Sequence, residues 1–279
     1  MKNDQRLPGR RMLLRLAAGL GTAGAVRVIA ADPAGAPSRT SATVAGAAGP
    51  RSAPRARPSA YRLRPMTAGA PPRFRPAAPP VRTRPFEKLP EIGQAMVLTF
   101  DDGPDPLYTP HILATLREHD VRAMFFLCGE MAHDNQDLVR AIAADGHTIG
   151  NHTWTHPLVT RLSRAGIRDE IGRTSEVIEK ITGGAPLWFR APYGAWNRNA
   201  FEIGADLGME PMAWTVDTLD WTEPGAGTIV RRVREGAAPG VVVLSHDAGG
   251  NRSQSVTALR RYLPELLADG YRITVPQRR

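Results

Sequence analysis

Short apolar runs alternate with segments of helical periodicity from residue 96 to the C-terminal end of the chain. The apolar runs predict seven strands, at 96–100, 122–127, 147–150, 188–191, 211–216, 241–245 and 271–275. The segments between them predict helices at 109–118, 136–144, 161–182, 198–207, 227–235 and 255–268. This alternation predicts an α/β domain at 91–279. Seven units favour a distorted, incomplete (β/α)7–8 barrel of parallel strands, with a doubly wound open sheet as the alternative.

The first 31 residues have the pattern of an export signal. They combine a basic start, an apolar stretch at 12–26 and the small residues Ala30 and Ala31 at a cleavage position. The run Arg10-Arg11-Met12-Leu13-Leu14-Arg15 resembles a twin-arginine signal. A basic start without a targeting role is the alternative, and retention as an uncleaved anchor stays open. We therefore expect an exported protein that is extracellular, or associated with the cell wall or the membrane.

Residues 32–90 are rich in Pro, Ala, Gly, Ser and Arg and have few large apolar side chains. Such a segment cannot bury enough surface to fold, so it predicts a disordered, extended linker. It holds 11 Lys or Arg against 2 Asp or Glu, whereas residues 91–279 hold 19 against 24. The linker charge favours an anionic cell-wall polymer as a partner, and a solvated spacer is the alternative. Because the predicted folded part is acidic, the composition argues against a nucleic-acid partner.

Polar side chains follow the predicted strands at the points where the strands end. They are Asp101 and Asp102 after the first strand, Asn151, His152 and His156 after the third, Arg190 at the end of the fourth, Asp217 and Asp220 after the fifth, and His246 and Asp247 after the sixth. In parallel α/β folds, functional sites lie at the C-terminal ends of the strands. The pattern therefore predicts that these loops converge on one cleft.

His152 and His156 are four residues apart, a spacing at which two imidazoles can bind one metal ion. The pair alone is weak evidence, because histidines at this spacing are common without a metal. A carboxylate from the Asp101–Asp102 pair would complete a site with open positions for water and substrate. These residues predict one divalent metal ion. Zinc is favoured, and cobalt, manganese and nickel stay open.

The adjacent aspartates could serve as one metal ligand and one proton acceptor, although their spacing does not assign the two roles. Arg190 could hold one carboxylate ionised through a bidentate pair and lower its pKa. His246 ends an apolar strand, and Asp220 could keep its imidazolium charged as a proton donor.

Five motifs resemble those of the polysaccharide deacetylases, the NodB homology domain of carbohydrate esterase family 4, and occur in the family's order. They are Thr99-Phe100-Asp101-Asp102-Gly103-Pro104, His152-Thr153-Trp154-Thr155-His156, Arg190-Ala191-Pro192-Tyr193-Gly194, Asp217-Thr218-Leu219-Asp220-Trp221 and Leu244-Ser245-His246-Asp247. The resemblance covers about residues 96–276. Ala191 and Ser245 depart from the residues frequent in the family, and neither has an assigned role.

The resemblance implies a role for each residue that matches a motif. Asp101 would be the general base, and the metal ligands would be Asp102, His152 and His156. Arg190 would orient the base, Asp220 would tune His246 as the general acid, and the Tyr193 N–H would help bind the oxyanion. Trp221 and Leu244 would line the acetyl pocket.

The implied activity is removal of N-acetyl or O-acetyl groups from a polysaccharide by a metal-dependent hydrolase. Peptidoglycan or chitin-like oligomers are the favoured substrates, which makes the scissile bond a carbon–nitrogen bond other than a peptide bond. The alternatives are an acetylxylan esterase and a non-catalytic glycan-binding module. We expect a monomer.

Overall fold

The computed structural model describes residues 78–90 and 92–276. The predicted export signal and residues 32–77 of the predicted linker lie outside the described residues, so both stay predictions. Within the described part, the helices are too short or too polar to cross a membrane.

Strands and helices alternate along the described chain. The strands are β1 (Ala95–Asp101), β2 (Met124–Leu127), β3 (Thr148–Asn151), β4 (Trp188–Phe189), β5 (Glu210–Pro211), β6 (Val216–Asp217), β7 (Val242–His246) and β8 (Arg272–Ile273). The α-helices are α1 (Thr109–Glu118), α2 (Gly129–Asp134), α3 (Gln136–Ala144), α4 (Arg164–Thr182), α5 (Arg198–Asp206), α6 (Ala226–Gly236) and α7 (Ser253–Ala268). Short 3-10 turns lie at Val159–Arg161, Pro192–Gly194 and Asp220–Thr222.

The strands pair in parallel in the order β5-β4-β3-β2-β1-β7-β6, and β8 pairs with the start of β1. From β1 to β7 this is the order of the strands in the chain, taken around a circle that stays open between β5 and β6. A doubly wound sheet would instead reverse direction at a switch point. The prediction of an incomplete α/β barrel is therefore confirmed.

The two faces of β1 pack against different cores. Met96, Leu98 and Phe100 join the large cluster that lies beneath the surrounding helices. Val97 faces the interior of the barrel, where it packs in a second cluster with Met124, Phe126, Trp188 and Met212. Because side chains alternate along a strand, Asp101 continues the inward row that begins at Val97. The strand thus delivers a carboxylate to the mouth of the barrel.

The predicted strand at 211–216 is wrong, because this run forms two strands at opposite edges of the sheet. Pro211 in β5 pairs with β4, and Val216 in β6 pairs with β7. Between them, the Met212 N–H donates to the Phe189 carbonyl and the Thr215 N–H donates to the Val242 carbonyl, each at 2.9 Å. Met212 and Ala213 stay buried after β5 ends and Trp214 is partly buried, so the apolar pattern continues across the break and conceals it.

The segment before β1 packs on the barrel where the sheet is open. Phe86 forms a bridge with Met212, and Lys88 forms one with Val241. The Phe86 ring lies edge-on to Trp188 at 6.1 Å between centroids. Farther back, the Arg82 guanidinium donates to the Glu210 carboxylate at 2.5 Å. Folded contacts therefore extend N-terminal to residue 91, into the segment whose composition indicates a linker.

Helix α4 begins later than the pattern predicts and is the frame for one side of the site. A 3-10 turn occupies Val159–Arg161, and Ser163 then caps the helix by accepting the Gly166 N–H at 3.1 Å. Gly183, at φ 81°, ends the helix in the left-handed conformation that suits glycine. Helix α2, Gly129–Asp134, was not predicted, because six residues are too few to establish a helical period.

Candidate active site

Two predicted catalytic residues lie side by side at the mouth of the barrel. In the pairing of β1 with β7, Asp101 is the register partner of His246, and Thr99 is the partner of Leu244. Both strands end at this pair, so the two side chains leave neighbouring strands on the same face. Residues 145 positions apart in the chain are therefore held together by the backbone ladder itself.

Asp102, His152 and His156 form one cluster of potential metal ligands. One ligand atom from each residue lies within 4.8 Å of the other two. The Asp102 Oδ1 atom is 3.6 Å from His152 Nε2 and 3.3 Å from His156 Nε2. Two imidazole nitrogens and one carboxylate oxygen are a donor set that several divalent metals accept, zinc among them.

The protonation of this cluster fits a metal ion. His152 Nδ1 lies 2.7 Å from the Arg190 carbonyl oxygen, which can only accept a hydrogen bond. The proton is therefore on Nδ1, and the lone pair of Nε2 faces Asp102. Burial, together with the charge of His156, lowers the pKa of His152 well below its usual range, so the ring is neutral. Within the described residues, the buried Asp102 Oδ1 has no hydrogen-bond partner, as expected of an atom whose partner is a cation.

The Asp101 carboxylate is buried and paired with Arg190. The Arg190 Nη1 atom lies 2.7 Å from Asp101 Oδ1 and 2.7 Å from the Thr99 hydroxyl. The remaining guanidinium N–H groups donate to the backbone carbonyls of Met212 and Ala213. The expected bidentate pair is therefore wrong, because only one nitrogen contacts the carboxylate. The expected fall in pKa is wrong too, since burial outweighs the arginine charge and raises the pKa of Asp101 to about 6.

His246 is held by a second buried carboxylate. Its Nδ1 lies 2.6 Å from Asp220 Oδ1, and its backbone N–H donates to Asp220 Oδ2 at 2.9 Å. The Ser255 hydroxyl donates to the same Oδ2 at 2.6 Å. Burial alone would lower the pKa of His246, but the hydrogen bond and charge of Asp220 outweigh it and raise the pKa to about 9. The imidazole is therefore a cation at neutral pH, with Nε2–H free of the Asp220 contact.

Comparison with known proteins shows the family of this chain. A family model described as polysaccharide deacetylase matches residues 89–212. A peptidoglycan-N-acetylglucosamine deacetylase of Bacillus cereus is 40% identical over 183 residues, which are 65% of this chain and 66% of that protein. A chitooligosaccharide deacetylase of Rhizobium leguminosarum bv. trifolii is 37% identical over 205 residues, covering 69% of this chain and 95% of the relative. The chain belongs to the polysaccharide deacetylase family.

Solved structures of this family share the fold. A CE4 family pseudoenzyme from Bacillus anthracis aligns with a TM-score of 0.64 and 32% identity, over 69% of this chain and 67% of that chain. The predicted family resemblance is confirmed. The roles of the individual residues stay predictions, although the structure brings all of the assigned residues to one end of the barrel.

The residues predicted to contact substrate differ in exposure. The Tyr193 side chain is 67% exposed, and its ring lies edge-on to His156 at 4.6 Å. Its backbone is left-handed, at φ 61°, in the turn after β4. Trp221, in the turn Asp220–Thr222, is 43% exposed, whereas Leu244 is buried on β7, two residues before His246. The two aromatic side chains are therefore accessible from solvent, whereas Leu244 is not.

Two polar loop residues, Arg252 and Asn197, have structural roles. Arg252 is fully buried and donates to the carbonyls of Ala248, Asn251 and Gly249, all within its own loop. Asn197 caps α5 by accepting the Ala200 N–H at 2.8 Å. Arg252 is therefore not available to substrate.

Two carboxylates near the site have no role in the sequence-based prediction. Asp247 is fully buried, accepts the Thr109 hydroxyl at 2.5 Å, and has its pKa raised by burial to about 7. Its position directly after His246 had already placed it among the residues predicted to converge on the cleft. Glu170 on α4 contacts the loop between the two histidines. In the sequence it is one charged residue among many on a helix, and no pattern distinguishes it.

Proposed function

We propose that this chain hydrolyses acetyl groups on a polysaccharide, and that N-acetyl groups on hexosamines are favoured over O-acetyl groups. The observation that carries the proposal is the register pair Asp101–His246 beside the cluster of Asp102, His152 and His156. It supplies a base, an acid and a metal site within one cleft, which is the set that hydrolysis of an unreactive amide requires.

The substrate class follows from the curated relatives as a proposal. Peptidoglycan and chitin-like oligomers are favoured, because the relatives named above are a peptidoglycan-N-acetylglucosamine deacetylase and a chitooligosaccharide deacetylase. The bond that breaks would then be a carbon–nitrogen bond that is not a peptide bond. The predicted export signal and the predicted basic linker agree with a cell-wall polymer, and an acetylxylan esterase is the alternative within the same fold.

Asp102, His152 and His156 would hold one divalent ion, with zinc favoured over cobalt, manganese and nickel. When bound, such an ion polarises the acetyl carbonyl and acidifies the attacking water. Asp101 accepts the proton of that water, and Arg190 keeps the carboxylate pointing into the cleft through its 2.7 Å contact. The Tyr193 N–H would donate to the oxyanion as the carbonyl becomes tetrahedral.

His246 protonates the leaving nitrogen. Asp220 holds the imidazole through Nδ1, so that Nε2–H is the proton available for transfer. Protonation turns a poor amide leaving group into an amine as the carbon–nitrogen bond breaks. Before this transfer, the negative Asp220 carboxylate stabilises the positive charge of the imidazolium ring.

A non-catalytic glycan-binding module is the second candidate, and the similarity to a CE4 family pseudoenzyme favours it. The described residues of this chain nevertheless retain both acid–base side chains and three metal ligands in contact geometry. A module that only binds glycan would not need Arg190 buried against Asp101, or Asp220 buried against His246.

Acetate release from a panel of peptidoglycan, chitin oligomers and acetylxylan tests the proposal, with product masses as a second readout. We expect turnover of the N-acetylated glycans. His152→Ala should lose the metal in elemental analysis and lose activity, while His111→Ala, an exposed histidine on α1, should retain both. Turnover of acetylxylan alone would favour the esterase, and glycan binding without acetate release would favour the non-catalytic module.

A further inference from the structure

The loop between the two candidate metal-binding histidines has an unusual backbone. Thr153 has φ 69° and His156 has φ 57°, both in the left-handed region that side chains other than glycine rarely adopt. Such a conformation persists only where surrounding contacts compensate for its cost. The contacts that hold this loop therefore decide where the imidazole rings point.

Glu170 supplies the most concentrated set of these contacts. Its Oε2 atom accepts the backbone N–H groups of Trp154 and Thr155, each at 2.8 Å. Its Oε1 atom accepts the Thr155 hydroxyl, also at 2.8 Å. One half-buried carboxylate thus binds two consecutive peptide groups and a side chain between His152 and His156. Hydrogen bonds to an ionised acceptor are stronger than those between neutral groups.

The helix that carries Glu170 is itself tied to the strand that precedes the loop. The Asn151 side-chain amide at the end of β3 donates to the Ile171 carbonyl at 2.8 Å and contacts the Ser175 hydroxyl at 3.0 Å. The Asn151 Oδ1 atom accepts the Thr153 N–H at 2.9 Å. Helix α4 therefore contacts the last residue of β3 through Ile171 and Ser175, and the histidine loop itself through Glu170.

We propose that Glu170 is a positioning residue that holds the His152–His156 loop in metal-binding geometry. This inference rests on the proposed function, because it assumes that the two histidines bind a metal ion. Glu170 acts on the loop through the peptide groups of Trp154 and Thr155.

Removal of the carboxylate leaves both N–H groups without their acceptor, and the loop then samples other conformations. The metal must order the loop when it binds, so its affinity falls. Residues that hold metal ligands in place commonly change metal affinity by about 10–100-fold when mutated. We expect Glu170→Ala to raise the zinc dissociation constant by about this factor. The zinc dissociation constant of Glu170→Gln should lie between those of wild type and Glu170→Ala, because the one amide oxygen can still accept an N–H.

Zinc titration of full-length variants against a chromophoric chelator tests the inference, and thermal unfolding of the metal-free proteins runs alongside it. Glu176→Ala is the matched control, since Glu176 is an exposed carboxylate on the same helix. The expected result is weaker zinc binding in both Glu170 variants and wild-type affinity in Glu176→Ala. The visible spectrum of cobalt-loaded Glu170→Gln should also change, since the spectrum reports the positions of the ligands.

Two outcomes would overturn the inference in distinguishable ways. If the wild-type protein does not bind one zinc ion per chain, the proposed metal site is wrong and the inference is wrong with it. If wild type binds zinc and both Glu170 variants bind it equally tightly, the metal site stands and Glu170 is not a positioning residue. Glu170→Gln keeps the test decisive where Glu170→Ala does not fold.

Discussion

The ends of β1 and β7 each carry a titratable side chain paired with an opposite charge, but the pair prevails over burial at only one of them. Each has a buried titratable side chain held by a buried partner of opposite charge: Asp101 by Arg190, and His246 by Asp220. At Asp101 burial prevails and the pKa rises to about 6. At His246 the partner prevails over burial and the pKa rises to about 9. An ion pair alone therefore does not decide which protonation state is favoured.

The two pairs differ in how many atoms of the charged partner contact the titratable residue. Arg190 contacts Asp101 through Nη1 alone, which also donates to the Thr99 hydroxyl, and its other two nitrogens donate to backbone carbonyls. Asp220 binds His246 with both carboxylate oxygens, through the ring and through the backbone N–H. From pH 6 to 9 the base is thus ionised and the acid is protonated. Activity should fall as Asp101 gains its proton below about 6 and as His246 loses its proton above about 9.

The largest effect should come from removing the base. Asp101→Asn keeps the shape of the side chain but cannot accept a proton, so acetate release should fall by about 10²- to 10⁴-fold. Zinc content should be retained, because the three candidate ligands are unchanged. Steady-state acetate release and elemental analysis measure the two quantities. Equal rates in the variant and wild type would remove Asp101 from the mechanism.

The next largest effect should come from removing the ion pair between Arg190 and Asp101. Arg190→Met leaves a buried carboxylate without its cation and two backbone carbonyls without donors, which should lower the free energy of unfolding by about 3–5 kcal/mol. The pKa of Asp101 should rise, and the acid limb of the activity profile should move to higher pH.

Denaturant unfolding and pH–rate profiles check the Arg190 prediction. Arg198→Met is the control, because the Arg198 side chain is 90% exposed and pairs with Glu202 at the surface. It should change stability by less than about 0.5 kcal/mol. A loss of similar size in both variants would mean that the buried pair has no special weight.

The smallest effect should come from removing the Asp220 charge beside His246, which should shift the pH dependence of activity. Asp220→Asn removes the charge that contributes most to raising the pKa of His246, so burial counts for more and that pKa should fall from about 9. The alkaline limb should move to lower pH. Ser255→Ala removes one hydrogen bond to Asp220 but keeps its charge, so the alkaline limb should stay near 9 in this control. An alkaline limb that stays at 9 in Asp220→Asn would assign it to another group.

The fold class and the membership of the site followed from residue patterns. Alternating strands and helices predicted the incomplete barrel, and the polar residues after five strands predicted which loops would meet. The break between β5 and β6 could not be predicted, because the run from Pro211 to Val216 is almost entirely apolar, and Met212 and Ala213 stay buried after β5 ends. Glu170 could not be predicted either, since its importance depends on the peptide groups it faces rather than on its neighbours in the chain.

The sequence by itself determined where each reactive side chain stands along its strand, because strand ends are set by local hydrophobic patterning. Only the tertiary structure decided the protonation states. Burial and partner geometry depend on groups brought together from distant segments, such as Arg190 against Asp101 and Asp220 against His246. A motif can therefore identify an acid and a base, but their pKa values are properties of the folded barrel.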